Sequence, residues 1–198
     1  MPYGAPRSFA AVLGTDGFGD GGESACAEKG VAQIPYKLTQ EPQNQKLKNL
    51  KTYQPIFMLT QKECDFLHAR MHGTLIEALG IRFIPTDDEY AVAEMPISPS
   101  TRQYLGVLHG GASLSLAETI AGVGSLHLTN YDEDYAVCGT EVNASHVAMS
   151  ATEGVVYGKA KLVHAGKSTH VWNVDIVGED GMVISAERVT NRIIKIKK

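Results

Sequence analysis

One carboxylate stands alone in an apolar part of the chain. Between Leu105 and Asn130, Glu118 is the only formally charged side chain. An ionised carboxylate among apolar groups is costly unless it is paired, and otherwise its pKa rises. Such surroundings suit a general base or a nucleophile. The alternative is a structural glutamate that caps a neighbouring strand or forms an ion pair between two subunits.

The second candidate for chemistry is the His109-Gly110-Gly111 triplet, which precedes Glu118 in the same segment. Paired glycines let a ligand approach the backbone, and the first amides of a helix have no partner within it. The positive partial charge at that helix end stabilises a developing oxyanion. The simpler explanation is a tight turn that needs glycine.

These two features are too far apart to act on one atom from a single chain. Glu118 lies eight residues after Gly110, which corresponds to about 12 Å along a helix axis. If they cooperate, two antiparallel copies of the helix must lie side by side. On that condition the spacing predicts a dimer with two sites at its interface.

Two helices are predicted around these residues. The segment 113–126 is apolar or small on every face, which is typical of a helix buried on all sides. Earlier in the chain, Thr60 and Glu63 have the spacing of a capping box. Apolar residues then recur at helical spacing as far as Leu79, and Gly80 ends that helix.

The remaining segments have the period of strands. Residues 81–97 alternate around a turn near 86–88, and four further alternating segments follow the buried helix at 135–147, 154–164, 168–177 and 182–196. The Gly-Glu-Asp-Gly sequence at 178–181 predicts a hairpin turn. A helix that is hydrophobic on all sides needs a sheet curled around it, so the order of elements predicts an α+β fold.

The composition excludes several classes of function. The chain has 198 residues, of which 43% are hydrophobic and 20% are charged, and its net charge is -4. This balance gives no electrostatic footprint for nucleic acid, and the least charged stretch contains Glu118 and several glycines, which argues against a membrane span. Cys26, Cys64 and Cys138 form no metal pattern and no disulfide framework. We therefore expect a cytoplasmic protein.

The first part of the chain differs from the rest. Residues 14–22 are mostly glycine and acidic residues, and residues 40–48 are mostly Gln, Asn and Lys. Such segments bury too little to offset their ordering entropy, so we expect residues 1–52 to form a flexible or loosely docked leader before a domain at 53–198. No Gly-Lys-Ser/Thr follows the glycines, as a phosphate loop would require.

The residues around both chemical features resemble a known family. The sequence Gln103-Tyr-Leu-Gly-Val-Leu-His-Gly-Gly111, with Ala-Glu-Thr at 117–119, is similar to the signature of hotdog-fold acyl-CoA thioesterases. These include the PaaI-type, 1,4-dihydroxy-2-naphthoyl-CoA and 4-hydroxybenzoyl-CoA thioesterases. The likeness continues through 141–147 and 164–172 and covers about residues 60–195. It implies an antiparallel sheet wrapped around a long buried central helix.

The resemblance also implies a role for each matching residue. Glu118 would be the base or nucleophile, and the Gly110 amide would polarise the thioester carbonyl. Gln103 and His109 would position the thioester from the partner chain. The expected substrate-binding residues are Gly111, His146, Gly166, Lys167, Ser168 and Thr169, of which the last four would meet the nucleotide arm of CoA. The resemblance implies no metal, and no cofactor other than the CoA of the substrate.

Two positions depart from the family pattern. Relatives usually have Ser or Thr one turn after the glutamate, where it helps to orient water, and this chain has Gly122 there. Relatives often have Arg after the His-Val pair, and this chain has Ala148. Both differences bear on efficiency and on the preference for CoA.

The expected function is hydrolysis of an aryl or medium-chain acyl-CoA thioester by a homodimer or homotetramer. One alternative keeps the fold and changes the reaction to dehydration or hydration of an acyl thioester. Another is a dimer that binds acyl-CoA without turnover. The sequence does not favour a serine hydrolase, because Ser113 and Ser115 form no Gly-x-Ser-x-Gly elbow.

Overall fold

The computed structural model describes residues 59–86 and 90–196. The predicted leader and part of the turn near 86–88 lie outside these residues. The described elements in chain order are α1 (Gln61–His68), α2 (Leu75–Leu79), β1 (Arg82–Ile84), β2 (Ala91–Pro96), α3 (Gly110–Leu128), β3 (Tyr135–His146), β4 (Val155–Ala165), β5 (Thr169–Gly178) and β6 (Val183–Lys195). No described helix is long and apolar enough to cross a membrane.

The strands form one antiparallel sheet with α3 against its inner face. The strand order is β1-β2-β4-β5-β6-β3, and α3 contacts β2, β3, β4, β5 and β6. The four alternating segments predicted after the buried helix are confirmed as β3 to β6, and the hairpin turn at 178–181 is confirmed between β5 and β6. This arrangement confirms the predicted α+β hotdog fold, with β3 at one edge of the sheet.

Small residues on the inner face let α3 approach the sheet closely. Ala93 of β2 and Ala160 of β4 are fully buried, and a side chain at Gly158 would overlap Ile120 of the helix. Leu116 and Ile120 are completely buried as a result. Burial of each such side chain stabilises the fold by about 1.5–3 kcal/mol.

A polar cluster fixes the second half of α3 to the sheet. The buried amide of Asn191 donates from Nδ2 to the Ala121 carbonyl and to Ser125 Oγ, both at 2.9 Å. Trp172 also donates from Nε1 to Ser125 Oγ, at 2.9 Å. A Cβ at Gly124 would lie 2.6 Å from the Trp172 ring, so glycine is needed for this approach. Trp172 is therefore a packing residue.

The first predicted helix is two helices in the structure. The capping box of Thr60 and Glu63 is confirmed, as is Gly80 as a left-handed C-cap with φ of 70°. Between them α1 ends at His68, and Gly73 adopts a φ of 74° before Thr74 caps α2. The single helix predicted up to Leu79 is wrong because a left-handed residue cannot continue a right-handed helix.

One side of α3 is open, which corrects the prediction of burial on every face. The helix residues that are exposed or only partly buried there follow helical spacing, and we call them the open stripe: Gly111, Leu114, Ser115, Glu118, Gly122 and Leu126. The stripe passes β3, and the described chain adds no further strand beyond that edge. Glu118 is thus exposed in one chain and is not enclosed by apolar groups.

Candidate active site

The side chain of His109 caps α3. Its Nδ1 accepts a hydrogen bond of 2.8 Å from the Gly111 N–H, and its own backbone N–H donates to the Thr101 carbonyl at 2.8 Å. Because an accepting Nδ1 carries no proton, a neutral His109 has its proton on Nε2. The ring therefore offers one hydrogen-bond donor beyond the helix end.

Gly110 presents the first amide of the helix. Among the described residues, no acceptor takes its N–H, as expected for the first turn of a helix. The imidazole of His146 lies against this residue, since a Cβ on Gly110 would be 2.5 Å from His146 Nε2. Glycine is thus required for the ring to reach the backbone, and His146 is a neighbour of the predicted oxyanion donor.

Gln103 is held by the loop that precedes α3. Its backbone N–H donates to the Val107 carbonyl and its carbonyl accepts from Gly106, both at 2.9 Å, and Gly106 has the left-handed φ of 88° that this turn needs. The side-chain Oε1 accepts from the Leu105 N–H at 3.2 Å. The Nε2 amide group remains as a donor.

One cavity brings these four residues together. It has a volume of about 660 Å³ and is lined by Gln103, His109, Gly110 and His146, a size typical of small-molecule sites. Ala148 also lines it, at the position where relatives often have Arg. The chain therefore collects at this end three potential donors to a carbonyl oxygen, namely Gln103 Nε2, His109 Nε2 and the Gly110 amide.

Glu118 does not line this cavity. Its carboxylate lies against Gly139 of β3, where any side chain would overlap Glu118 Oε1. Next to Gly139 the pairing of β3 with β6 shifts at a bulge, because Gly139 pairs with Asn191 and Glu141 with Thr190. Bulges commonly re-aim residues next to active sites. Gly139 is a site residue that the sequence did not reveal.

The turn at 166–169 lies at the same end of the sheet as Glu118. Its backbone is fixed by hydrogen bonds from Gly166 N to Thr169 O at 2.8 Å and from Ile193 N to Ser168 O at 3.0 Å. Thr169 pairs with Arg192, which pairs with Cys138, the neighbour of Gly139. Lys167 in this turn is exposed. The predicted site residues therefore form two groups on one chain.

No side chain of the described chain occupies the space one helical turn after Glu118, where the chain has Gly122. A Cβ at Gly122 would meet no atom within 4 Å among the described residues. The serine or threonine of relatives would fit there in one chain, so the glycine is not imposed by packing within it. Gly122 therefore leaves unfilled space beside the Glu118 carboxylate, where relatives have a hydroxyl side chain.

Sequence reasoning missed a buried acid near the first turn of α3. Glu187 of β6 is only 5% exposed, and neither carboxylate oxygen has a hydrogen-bond partner. Burial raises the pKa of Glu187 to about 7, although the hydroxyls of Ser185 and Ser113 beside it oppose the shift. The signal was available, because Val189, Asn191 and Glu187 alternate on one face of a strand.

Comparisons with known proteins identify the family of the chain. A family model described as the thioesterase superfamily matches residues 105–185. The 1,4-dihydroxy-2-naphthoyl-CoA hydrolase of Escherichia coli is 39% identical over 130 residues, which cover 66% of this chain and 93% of that protein. The proofreading thioesterase EntH of Cronobacter turicensis is 36% identical over 130 residues, with the same coverage of 66% and 93%.

Solved structures give the same result. A mutant of thioesterase PA1618 from Pseudomonas aeruginosa has a TM-score of 0.65 and 33% identity, and the match covers 70% of this chain and 99% of that one. Thioesterase HI1161 from Haemophilus influenzae has a TM-score of 0.64 and 28% identity, over 72% and 96%. The chain belongs to the thioesterase superfamily and is a thioester hydrolase with the hotdog fold.

Proposed function

We propose that the protein hydrolyses an acyl-CoA thioester at the interface of a homodimer. Glu118 of one chain would meet Gln103, His109 and Gly110 of the other. One observation carries the proposal: Glu118 lies outside the cavity that Gln103, His109 and Gly110 of the same chain line. Each half is open, so a second chain can complete both.

Two surfaces of the chain support this dimer. β3 is an edge strand of 12 residues, with backbone groups along one side that no described strand pairs. The open stripe of α3 lies beside that edge and contains Glu118. A twofold pairing through β3 would run the two α3 helices antiparallel, and each Glu118 would then approach the Gly110 end of its partner.

The chemistry follows from the positions of the groups. As Glu118 takes a proton from water, the water oxygen bonds to the thioester carbon, or the carboxylate itself attacks and the acyl-enzyme is then hydrolysed. The carbonyl oxygen gains negative charge, which the Gly110 N–H and the Nε2 donors of His109 and Gln103 stabilise. The C–S bond breaks, and the CoA sulfur leaves as a thiol after it takes up a proton.

The substrate class is inferred from two features. The turn at 166–169 provides exposed Lys167 beside the Glu118 end, where a cation would attract the phosphates of CoA. The cavity has apolar walls beside its donors, including Val107, Leu108 and Ile184. An aryl or medium-chain acyl group fits this lining, as in the relative from E. coli whose name gives a naphthoyl-CoA substrate.

Thiol release from a panel of acyl-CoAs, from acetyl to benzoyl, phenylacetyl and hydroxynaphthoyl, tests the activity. We expect Glu118→Gln to lower kcat by about 10²–10⁴-fold, because the base or nucleophile is lost. The matched control is Glu153→Gln, which changes an exposed loop glutamate and should leave kcat unchanged. Equal turnover by wild type and Glu118→Gln would refute the mechanism.

A 3-hydroxyacyl-CoA that gives enoyl absorbance without thiol release would favour dehydration instead.

A mixing experiment tests the shared site. Glu118→Gln and Gln103→Ala chains each lack one half, so each homodimer should be nearly inactive. After subunit exchange, half of the dimers at equal mixing carry one intact site, and the mixture should recover about a quarter of wild-type activity. A mixture as inactive as its components, with exchange demonstrated by mass spectrometry, would contradict the shared site.

A further inference from the structure

Arg102 takes no part in the proposed hydrolysis, although it lines the same cavity as Gln103, His109 and Gly110. The side chain is partly buried, and its Nε is a buried donor without a hydrogen-bond partner among the described residues. A buried N–H group of a cation is costly when it has no acceptor. Arg102 therefore lacks an acceptor that the single chain does not supply.

The cavity around Arg102 contains no acid to balance its charge. Among the described residues that line it, none is an aspartate or a glutamate, and Arg102 is the only lysine or arginine. Ala148 occupies the position in this lining where relatives often have Arg. The ion pairs that the described residues form lie elsewhere, at His72 and His127. The positive charge of Arg102 would thus attract a negatively charged ligand into the cavity.

The backbone on both sides of this loop is fixed. Arg102 forms an antiparallel bridge with Leu108, and its N–H donates to the Ser98 carbonyl at 2.9 Å. The Leu108 N–H donates to the hydroxyl of Ser150 at 2.8 Å. The arginine is therefore carried by a preorganised segment, which reduces the entropy that binding would cost.

This segment places the cation next to the predicted carbonyl donors. Arg102 precedes Gln103, and its bridge partner Leu108 precedes His109. Residues paired in this way have Cα atoms about 4.5–5.5 Å apart. A substrate whose carbonyl lies at these donors therefore has the guanidinium as a neighbour.

We propose that Arg102 is a specificity-determining residue that binds an oxyanion carried by the substrate. The inference rests on the proposed function, in which Gln103, His109 and Gly110 hold the thioester carbonyl. A carboxylate on the acyl group and a phosphate of CoA are the two sources of such an oxyanion, and both accept paired hydrogen bonds from a guanidinium. Either one would supply the acceptor that the Arg102 Nε lacks.

The test measures kcat/KM of wild type and Arg102→Gln with four thioesters. The acyl group is 4-carboxybenzoyl or 4-carbamoylbenzoyl, which have nearly the same shape but differ in charge. The carrier is CoA or pantetheine, which lacks the phosphates. We expect Arg102→Gln to lower kcat/KM about 10–100-fold for 4-carboxybenzoyl-CoA, and less than about threefold for 4-carbamoylbenzoyl-pantetheine, which carries no anion.

The other two thioesters identify the source of the oxyanion. A large loss with 4-carboxybenzoyl-pantetheine would support the acyl carboxylate, and a large loss with 4-carbamoylbenzoyl-CoA would support a phosphate. Losses of equal size with all four thioesters would overturn the inference, because Arg102 would then act on the protein rather than on the substrate. The absence of a loss with any of them would also overturn it.

Two further variants serve as controls. Arg82→Gln removes an exposed arginine of β1 that does not line the cavity, and it should leave all four values unchanged. Arg102→Lys keeps the charge but loses the planar pair of donors, so it should recover part of the activity toward 4-carboxybenzoyl-CoA. A lysine variant as impaired as Arg102→Gln would contradict binding through charge.

Calorimetry with the Glu118→Gln chain measures binding without turnover. We expect 4-carboxybenzoyl-CoA to bind about 10–100-fold more weakly when Arg102→Gln is added to that chain. Wild type that hydrolyses none of the four thioesters would refute the proposed function, while an affinity that depends on Arg102 would still support the oxyanion site. Turnover in which neither rate nor affinity depends on Arg102 would refute this inference alone.

Discussion

Two inward residues of β6, each paired with a residue of β3, differ in how they interact with α3. In one, Asn191 lies opposite Gly139, and in the other, four residues earlier on β6, Glu187 lies opposite Ala144. The Asn191 amide makes two hydrogen bonds of 2.9 Å to the helix. Glu187 makes none. Asn191 thus anchors the helix through its Nδ2, although its Oδ1 has no partner among the described residues, whereas Glu187 has no hydrogen bond to the helix at all.

The difference separates the anchored part of α3 from its reactive end. Ala121 and Ser125, which Asn191 binds, lie beyond Glu118 along the helix, whereas Ser113, beside Glu187, lies one turn from Gly110. The hydrogen bonds from Asn191 stabilise the second half of α3, which is far from the cavity. Near the cavity the fold retains a costly buried acid, which is common at functional sites.

The largest predicted effect concerns the unsatisfied acid. Its pKa is about 7 in the folded chain against 4.5 ordinarily, so the folded state binds more protons and Glu187 loses its favourable contribution as pH rises through 7. From pH 5 to pH 9, wild type should lose about 3 kcal/mol of unfolding free energy relative to Glu187→Gln. Urea denaturation at several pH values measures this. A constant difference between the two proteins would be inconsistent with a buried acid.

The next effect concerns the Asn191 amide, whose Nδ2 is bonded to α3. Asn191→Leu keeps the volume but removes both hydrogen bonds to α3, and we expect a loss of about 2 kcal/mol in unfolding free energy at every pH. The control is Asn143→Ala on the exposed face of β3, which should change stability by less than about 0.5 kcal/mol. If Asn191→Leu were as stable as wild type, the anchor would have to be Trp172 alone.

The smallest effect concerns Gly139, opposite Asn191. A methyl group there overlaps the Glu118 carboxylate, which is exposed and can move aside. Gly139→Ala should therefore reduce kcat about tenfold with little change in stability, because the reacting group is displaced. Ser145→Ala, on the same strand, is the control. Thermal melting and thiol release together measure the two effects, and an unaltered kcat would show that Glu118 does not act from this position.

Much of the fold was predictable from local patterns. The capping box at Thr60, the C-cap at Gly80 and the four strands after α3 each depend on residues close in sequence, and periodicity located them within about two residues. The break at Gly73 was missed because apolar residues keep helical spacing across it. A single left-handed glycine outweighs that pattern.

The site was predictable only in part, for a physical reason. Glu118, His109 and Gly110 are conspicuous because their types conflict with an apolar helix or fit its end. Gly139 gives no signal in the sequence, because its importance comes from what lies opposite it across the sheet, whereas the alternation of β6 could have placed Glu187 on the inner face. The bulge after Gly139 and the pairing of β3 with β6 join residues 39 to 60 positions apart in the chain, which no local period encodes.

The place of β3 in the sheet also sets the order of assembly during synthesis. β3 pairs with β6 alone in the described chain, although β4 and β5 come between them in sequence. A ribosome therefore releases β3 well before its only intramolecular neighbour exists, and closing so long a loop is a slow step in folding. Until β6 arrives, Gly139 has no fixed place against Glu118. The contact of Gly139 with Glu118 is therefore fixed only after β6 has been synthesised.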